Sequence, residues 1–398
     1  MTIEIAHERL EWLRRAAADG AVHTVRVSWP DRLGGWRGKR VPVDDFLADP
    51  DRRIGFCDGM IVVDVGCAII QETPFSNFET GYPDMYLRPD VGTLRPACWA
   101  DGEAFVLGEL QSHHGERLAV APRNVLRAVL ARLARSGVGA RASLTLSGRL
   151  MRSPRESVAL LPGGLGRGEP GKGVLRTAAE ALLASGVPVA SLDARRDGSF
   201  RLGLDALEAG EAADLAFVAK AAVKEVALQQ GLNAVFMTVV PGAERPAQLE
   251  IDLELDGPAS PAPEPSALLR AIADVRALLQ PSITAFKAGP PGEPTIERRA
   301  SCVAIGSLRA SSEADPMTAL AAALAAAAVA AGAPTSTAPV VSARTLDEAA
   351  DRLVEAPWVA DWLGSALIDN ALPLLRHETQ SFAAAVTDWE IERYWMQS

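Results

Sequence analysis

Apolar and polar positions alternate over VHTVRVSW, break at PDRLGGWRG and resume at KRVPV, which predicts a strand, a turn and a second strand over residues 22–43. An amphipathic helix over residues 5–18 is expected before them, and β-rich runs follow at Gly55–Val65 and Ala104–Leu107. From Pro122 the period changes to that of a helix. Val125, Leu126, Val129, Leu130 and Leu133 form one apolar stripe, Pro122 suits a first helical turn and Gly137 a stop. Further helices are expected at about residues 174–186, 207–230, 265–279, 315–332, 345–355, 358–372 and 376–395. Strands are expected between them at about 142–146, 188–192, 199–204, 235–240 and 248–255.

This pattern divides the chain into a small α+β domain over residues 1–112 and a larger domain of helices and strands over residues 113–398. Pro/Gly-rich joints fall at Leu161–Gly173, Asp256–Pro265 and Ala288–Pro294. The 398 residues, 48% of them hydrophobic, are ample for two cores. Thr318–Gly332 is apolar but shorter than the roughly 20 residues that span a bilayer, so it reads as a buried helix and not a membrane segment. The N-terminal stretch carries Glu4, Glu8 and Glu11 and lacks the apolar core of a signal peptide, which points to the cytoplasm.

The net charge of -10 is spread along the chain without a basic stripe, which argues against nucleic acid as a partner. Cys57, Cys67, Cys98 and Cys302 occur singly and read as buried thiols, neither disulfides nor a zinc knuckle. His113-His114 follows a strand without metal-ligand spacing and reads as a polar surface turn. GGLGRGEPGKG (163–173) lacks the GK[ST] ending of a phosphate loop and reads as a flexible loop.

Specific words complete the picture. RGKRVPVDDF, GYPDMYLRPDVGTLRP (Gly81–Pro96) with a tryptophan and VLGEL after it, PRNVL (Pro122–Leu126), Glu211–Met237, PSITAFK (Pro281–Lys287) and WEIERYWMQS resemble, in order, segments of the glutamine synthetase family. The resemblance implies an α+β fold: a small N-terminal β-grasp domain followed by a large glutamine-synthetase-like α/β catalytic-type domain with a curved antiparallel sheet. It also implies ring assembly, each active site lying between the large domain of one subunit and the small domain of its neighbour. The family's reaction, an ATP-driven ligation of a carboxylate to ammonia or an amine in nitrogen metabolism, needs divalent cations held by carboxylates.

The matching positions largely lack those carboxylates. The family's Glu-x-Glu-Phe strand is matched by Ser143-Leu144-Thr145-Leu146, and its acid followed by GQ-x-Glu by Asp193 and then Gly198-Ser199-Phe200-Arg201. The lysine of FMPKP falls at Val239, and the HxH strand reads Glu250-Ile251-Asp252. Lys287 remains, but the arginine expected to hold the substrate carboxylate is Ala288. Glu293 is a remnant of the flap, Arg299 and Arg309 are remnants of arginine signatures, the last metal glutamate falls at Ser307, and NPY has become Asp315-Pro316-Met317.

Asp84 matches the small-domain aspartate that in the family reaches the neighbouring subunit's site and helps to deprotonate the incoming amine, although an aspartate there also suits a turn cap. The reading that follows is a catalytically inactive homologue without Mg²⁺ or ATP, working as a subunit beside a competent glutamine-synthetase-like ligase and lending it Asp84. Two alternatives stand beside it. One is a γ-glutamyl amide type ligase with Mg²⁺, ATP and a rebuilt metal site at Asp193, Glu250 and Asp252, where the regular alternation of QLEIDLEL equally fits a solvated strand face. The other is a homomeric metabolite sensor.

Overall fold

The computed structural model describes residues 2–160, 172–257, 262–290, 292–299, 302–333 and 340–395. Helix α1 (Thr2–Ala18) precedes the expected hairpin of β1 (Thr24–Pro30) and β2 (Trp36–Pro42). In its turn Asp31 Oδ1 accepts hydrogen bonds from the backbone N–H groups of Leu33 and Gly35. A short helix α2 (Val43–Ala48) follows. The run at Gly55–Val65 yields only β3 (Ile54–Cys57) before a 3-10 turn at Asp58–Ile61.

Strands β4 (Asp84–Pro89), β5 (Arg95–Pro96) and β6 (Glu103–Gln111) complete a sheet of order β2-β1-β6-β4-β3, with β5 beside β6. Its β1–β6 pair is parallel and the others antiparallel, the β-grasp pattern expected from the resemblance.

The second half opens with α3 (Pro122–Arg135), then β7 (Gly139–Ser153), β8 (Glu156–Ser157), α4 (Lys172–Ala184), β9 (Val189–Ala194), β10 (Ser199–Leu204) and β11 (Leu207–Glu208). It continues with α5 (Ala209–Gln229), β12 (Asn233–Val235), β13 (Gln248–Asp256), α6 (Pro265–Asp274), α7 (Arg276–Leu279) and α8 (Ile283–Lys287). β14 (Thr295–Arg298) and β15 (Cys302–Ser311) lead into five helices: α9 (Pro316–Gly332), α10 (Leu346–Glu355), α11 (Pro357–Leu363), α12 (Ser365–Ala384) and α13 (Asp388–Tyr394).

The strands form one antiparallel sheet of order β14-β15-β13-β7-β10-β9, with β8, β11 and β12 also on β7. β7 is 15 residues long and pairs with different strands along its length, so the sheet curls around it.

Several expectations are corrected. The helix at 265–279 breaks at Val275 into α6 and α7. The strand at 235–240 stops at Val235, because residues 236–247 leave the sheet. The thiols of Cys57, Cys67 and Cys98 are exposed and Cys302 is half-buried; Cys57 ends a strand, and Cys67 lies in a turn with φ 66°. The loop at 163–173 lies outside the described residues up to 171, as do residues 258–261 of the second joint.

The alanine-rich helix is α9, buried against α3, α5, α6 and α11 and started by Asp315, whose side chain accepts from Thr318 N–H at 2.7 Å. Alanine suits this place because small side chains let helices approach closely from several sides. Among the described residues no helix is long and apolar enough to cross a membrane.

Two apolar cores result. One gathers Leu13, Val25, Phe46, Met85 and Leu110, and the other lies between the curled sheet and helices α3, α5 and α9. β6 serves both, since Phe105 and Leu107 face the larger core. Trp36 packs on Phe217 of α5 with ring centroids 5.3 Å apart.

Charges tie the same seam. Arg123 on α3, 5% exposed, donates from Nε and Nη2 to both oxygens of Asp214 on α5, at 2.9 and 2.7 Å, and from Nη2 to Asp90 at 2.8 Å. Burial alone would raise the Asp90 carboxyl, but the guanidiniums of Arg123 and Arg127 outweigh it and hold it below the usual range. Lys220 of α5 donates to Leu33 O of the β1–β2 turn at 3.0 Å, and Arg26 of β1 pairs with Glu225 at 2.6 Å.

Removing one partner of a buried ion pair leaves the other charge uncompensated. Arg123→Ala is therefore expected to cost about 3–5 kcal/mol of unfolding free energy, read from the denaturant midpoint. Because the folded Asp90 titrates below its unfolded value, its contribution is complete above that value and is lost as pH falls through the folded one. The acid limb of the wild-type stability profile should thus flatten in Arg123→Ala, and an unchanged limb would show that the tie does not carry the seam.

Candidate functional site

Strand alternation sorts the inner strands onto two faces. On β7, Leu144 and Leu146 face the core while Ser143, Thr145 and Ser147 stand on the opposite face. On β13, Leu249, Ile251 and Leu253 turn inward and Glu250 and Asp252 outward. Register then builds a row across the sheet: Arg309 of β15 lies opposite Glu250, Glu250 opposite Thr145, and Thr145 opposite Gly203 of β10. Two residues along, Ser147 lies opposite Arg201, and Arg201 opposite Asp193 of β9.

This face opens into a cleft of about 480 Å³ between β7, β10, β13 and β15, lined on the outside by residues from 237–247 and by Ala288, Pro290 and Gly292. Its charged lining consists of Arg149, Arg195, Arg201, Arg245, Arg309 and a single acid, Glu250. Arg149 is 3% exposed and donates to Asp197 Oδ2 at 2.6 Å and to its backbone carbonyl at 2.9 Å. Asp197 feels burial upward, but Ser199 and Arg149 hold its carboxyl below the usual range. Arg201 is ion-paired with Glu250.

Arg195, Arg245 and Arg309 have no ion-pair partner among the described residues. The Nε atoms of Arg201 and Arg309 are buried without a hydrogen-bond acceptor. Gly292 lies directly over Arg309: a Cβ there would be 2.7 Å from Nη1, so a larger residue would have to displace the end of the arginine side chain.

The carboxylates weighed as a rebuilt metal site do not converge. Glu250 is committed to Arg201. Asp252 Oδ1 accepts the backbone N–H of Ser307 at 2.9 Å, at an irregularity where Ser307 adopts φ 59°. Asp193 is exposed on the edge strand β9. Among the described residues no three His, Cys, Asp or Glu side chains are placed to hold a metal ion. The alternation of QLEIDLEL is thus a strand with its apolar side in the core. Glu293 is exposed in the loop before β14, outside the cleft lining, whereas Arg309 is inside it. Arg299 pairs on the surface with Glu254 and Glu297.

A second group lies on the small sheet. Asp84 is exposed at the start of β4 and opposite Cys57, which brings it beside Asp58, a carboxylate only 4% exposed. Ser76 Oγ donates to Asp58 Oδ1 at 2.6 Å. Burial pushes the Asp58 carboxyl above its usual range, against the hydrogen bonds of Ser76 and Gly59 and with the help of the Asp84 charge. Sequence reasoning took GFCDGMIVVDV as a β-run and passed over Asp58. The signal was present: an Asp-Gly pair interrupting apolar residues marks a turn. Nothing in the sequence marked Arg149, Arg195 and Arg245 as sharing a cleft, since the fold alone brings them together.

No family model matches the chain. It is 28% identical to the γ-glutamylethanolamide synthetase GlnA4 of Streptomyces coelicolor over 246 residues, covering 57% of this chain and 53% of that protein. It is 25% identical to a glutamate–isopropylamine ligase of a Pseudomonas species over 244 residues, covering 56% and 52%. The chain thus spans about half the length of the curated relatives it matches.

The fold likeness is wider. A structure of GmaS without ligand superimposes with a TM-score of 0.75 at 19% identity, covering 96% of this chain and 98% of that one. A structure described as a novel glutamine synthase homologue gives 0.79 at 19% identity, covering 94% and 98%. The ordered sequence words, the amide-ligase relatives and a fold shared along nearly the whole chain place this protein in the glutamine synthetase family.

Proposed function

We propose that this chain is a family member that does not ligate on its own and that serves as a subunit beside a competent glutamine-synthetase-like ligase. One observation carries the first half: the Arg201 guanidinium, in a position where the resemblance leads one to expect a metal carboxylate, is ion-paired to Glu250 in the cleft. A divalent cation brought there meets a fixed positive charge and a carboxylate already neutralised. The hydroxyls of Ser143 and Thr145 do not restore the lost charge.

For the second half, the support is one-sidedness. All residues lining the cleft come from positions 147–309, so the small sheet of this chain gives it no wall. Asp58 and Asp84 meanwhile sit together at the start of β4 with Asp84 in the open, a pair suited to holding an ammonium or amine and accepting its proton in another subunit's cleft. Val386, Trp389, Ile391, Tyr394 and Trp395 expose apolar side chains around α13, the kind of surface that a neighbouring subunit covers. The partner is then a glutamine-synthetase-like catalytic subunit in a ring-shaped hetero-oligomer.

A second reading is favoured by the relatives, whose names describe γ-glutamylethanolamide synthesis and glutamate–isopropylamine ligation. It makes this chain a carboxylate-amine ligase that uses Mg²⁺ and ATP.

The two readings separate in one assay. With glutamate, Mg-ATP and ammonia, ethanolamine or isopropylamine, the purified chain is expected to release no phosphate above background. Turnover that follows the protein through purification and disappears in Glu250→Gln contradicts the proposal and supports the ligase. The subunit role is read by isolating the chain from its host and weighing the complex. A second, glutamine-synthetase-like polypeptide is expected, and Asp84→Ala or Asp58→Asn should lower its activity about 10²-fold, the scale of a lost general base, with the assembly intact. A homo-oligomer only, with partner activity indifferent to both substitutions, rejects the role.

A further inference from the structure

The charge of the cleft has a consequence beyond the loss of metals. Once Arg149 is matched by Asp197 and Arg201 by Glu250, the guanidiniums of Arg195, Arg245 and Arg309 remain without an ion-pair partner among the described residues. Like charges sharing a cleft repel one another, and an anion bound among them relieves that repulsion. The buried, acceptor-less Nε atoms of Arg201 and Arg309 are N–H donors in need of an oxygen. The other large cavity, about 580 Å³ against α1, α3 and α5, differs: there Arg95 and Arg123 are met by Glu211, Asp90 and Asp214.

We infer that the cleft around Arg309 binds a small metabolite carrying two or more anionic groups, carboxylate or phosphate, directly on guanidinium groups and without a divalent cation. The cleft volume of about 480 Å³ suits a ligand of metabolite size. Arginine is the side chain fitted to this task, because its planar fork donates two parallel hydrogen bonds to a carboxylate or phosphate and keeps its charge at any working pH. Gly292 lies over the Arg309 guanidinium on the covering side of the cleft. Glu250 then sets affinity: by holding Arg201 it withholds a fourth cation from the ligand.

This inference rests on reading the cleft as metal-free, and the test separates the two. Pyrophosphate and citrate are titrated into the full chain by calorimetry, in excess EDTA and, separately, with Mg²⁺. The expected result is binding in EDTA that weakens with added salt. Arg309→Gln, and Arg245→Gln whose exposed side chain is not needed for folding, should each weaken it about tenfold or more, the size of one lost charge-assisted hydrogen bond. Glu250→Gln should tighten it. A preference for pyrophosphate assigns the natural ligand to phosphorylated metabolites, and a preference for citrate to polycarboxylates. Binding of pyrophosphate only when Mg²⁺ is present overturns both the inference and the metal-free reading. No binding in either condition, or binding indifferent to both arginine substitutions, overturns the inference alone.

Discussion

The ion pair between Arg201 and Glu250 is the constraint on which the chemistry of this protein turns. It joins two strands on the open face of the curled sheet and neutralises the one carboxylate of the cleft lining, which leaves the field there to the arginines. In a metal-dependent ligase the same kind of face is lined by carboxylates whose mutual repulsion is relieved by divalent cations. Here one side chain has the opposite sign, and the repulsion left over is between arginines. Neither partner of the pair is deeply buried, so it adds little stability and is best understood through what it does to ligands.

The fold tolerates that change because fold and cleft use opposite faces of the same strands. Leu144, Leu146, Leu249 and Ile251 hold the sheet to α5 and α9 whatever stands on the other side. The seam to the small sheet is likewise independent of the cleft, being made by Arg123, Lys220 and the Trp36–Phe217 contact. The frame can therefore persist whatever charges stand on the open face. What stays available for function divides in two: a carboxylate pair at Asp58 and Asp84 on one surface, and an arginine-lined cleft on another.

Much of this was legible in the chain. Strand β10 and helices α3, α5, α9 and α10 lie within a residue or two of where the apolar pattern puts them, and α3, α9 and α10 also carry a proline, aspartate or threonine at their start. The failures have particular causes. FMTVV reads as a strand, yet Phe236 and Val240 are buried from an irregular segment that walls the cleft, a packing role that sequence alone cannot separate from pairing. A division near Pro373 is expected, but the breaks are at Gly364, with φ 90°, and at residues 385–387, and Pro373 lies inside α12. In the site, single positions such as Ser143, Thr145 and Arg201 were readable from the resemblance. Their meeting with Arg149, Arg195 and Arg245 depends on strand order and register, which no local pattern encodes.

The most direct measurement of the central claim is a Mn²⁺ titration followed by electron paramagnetic resonance, since Mn²⁺ takes the oxygen sites that Mg²⁺ uses. The account predicts that the free Mn²⁺ signal rises in step with added metal, with and without ATP, as for a protein having no cleft metal site. One or more Mn²⁺ ions bound tightly per chain and released by Glu250→Gln would contradict it.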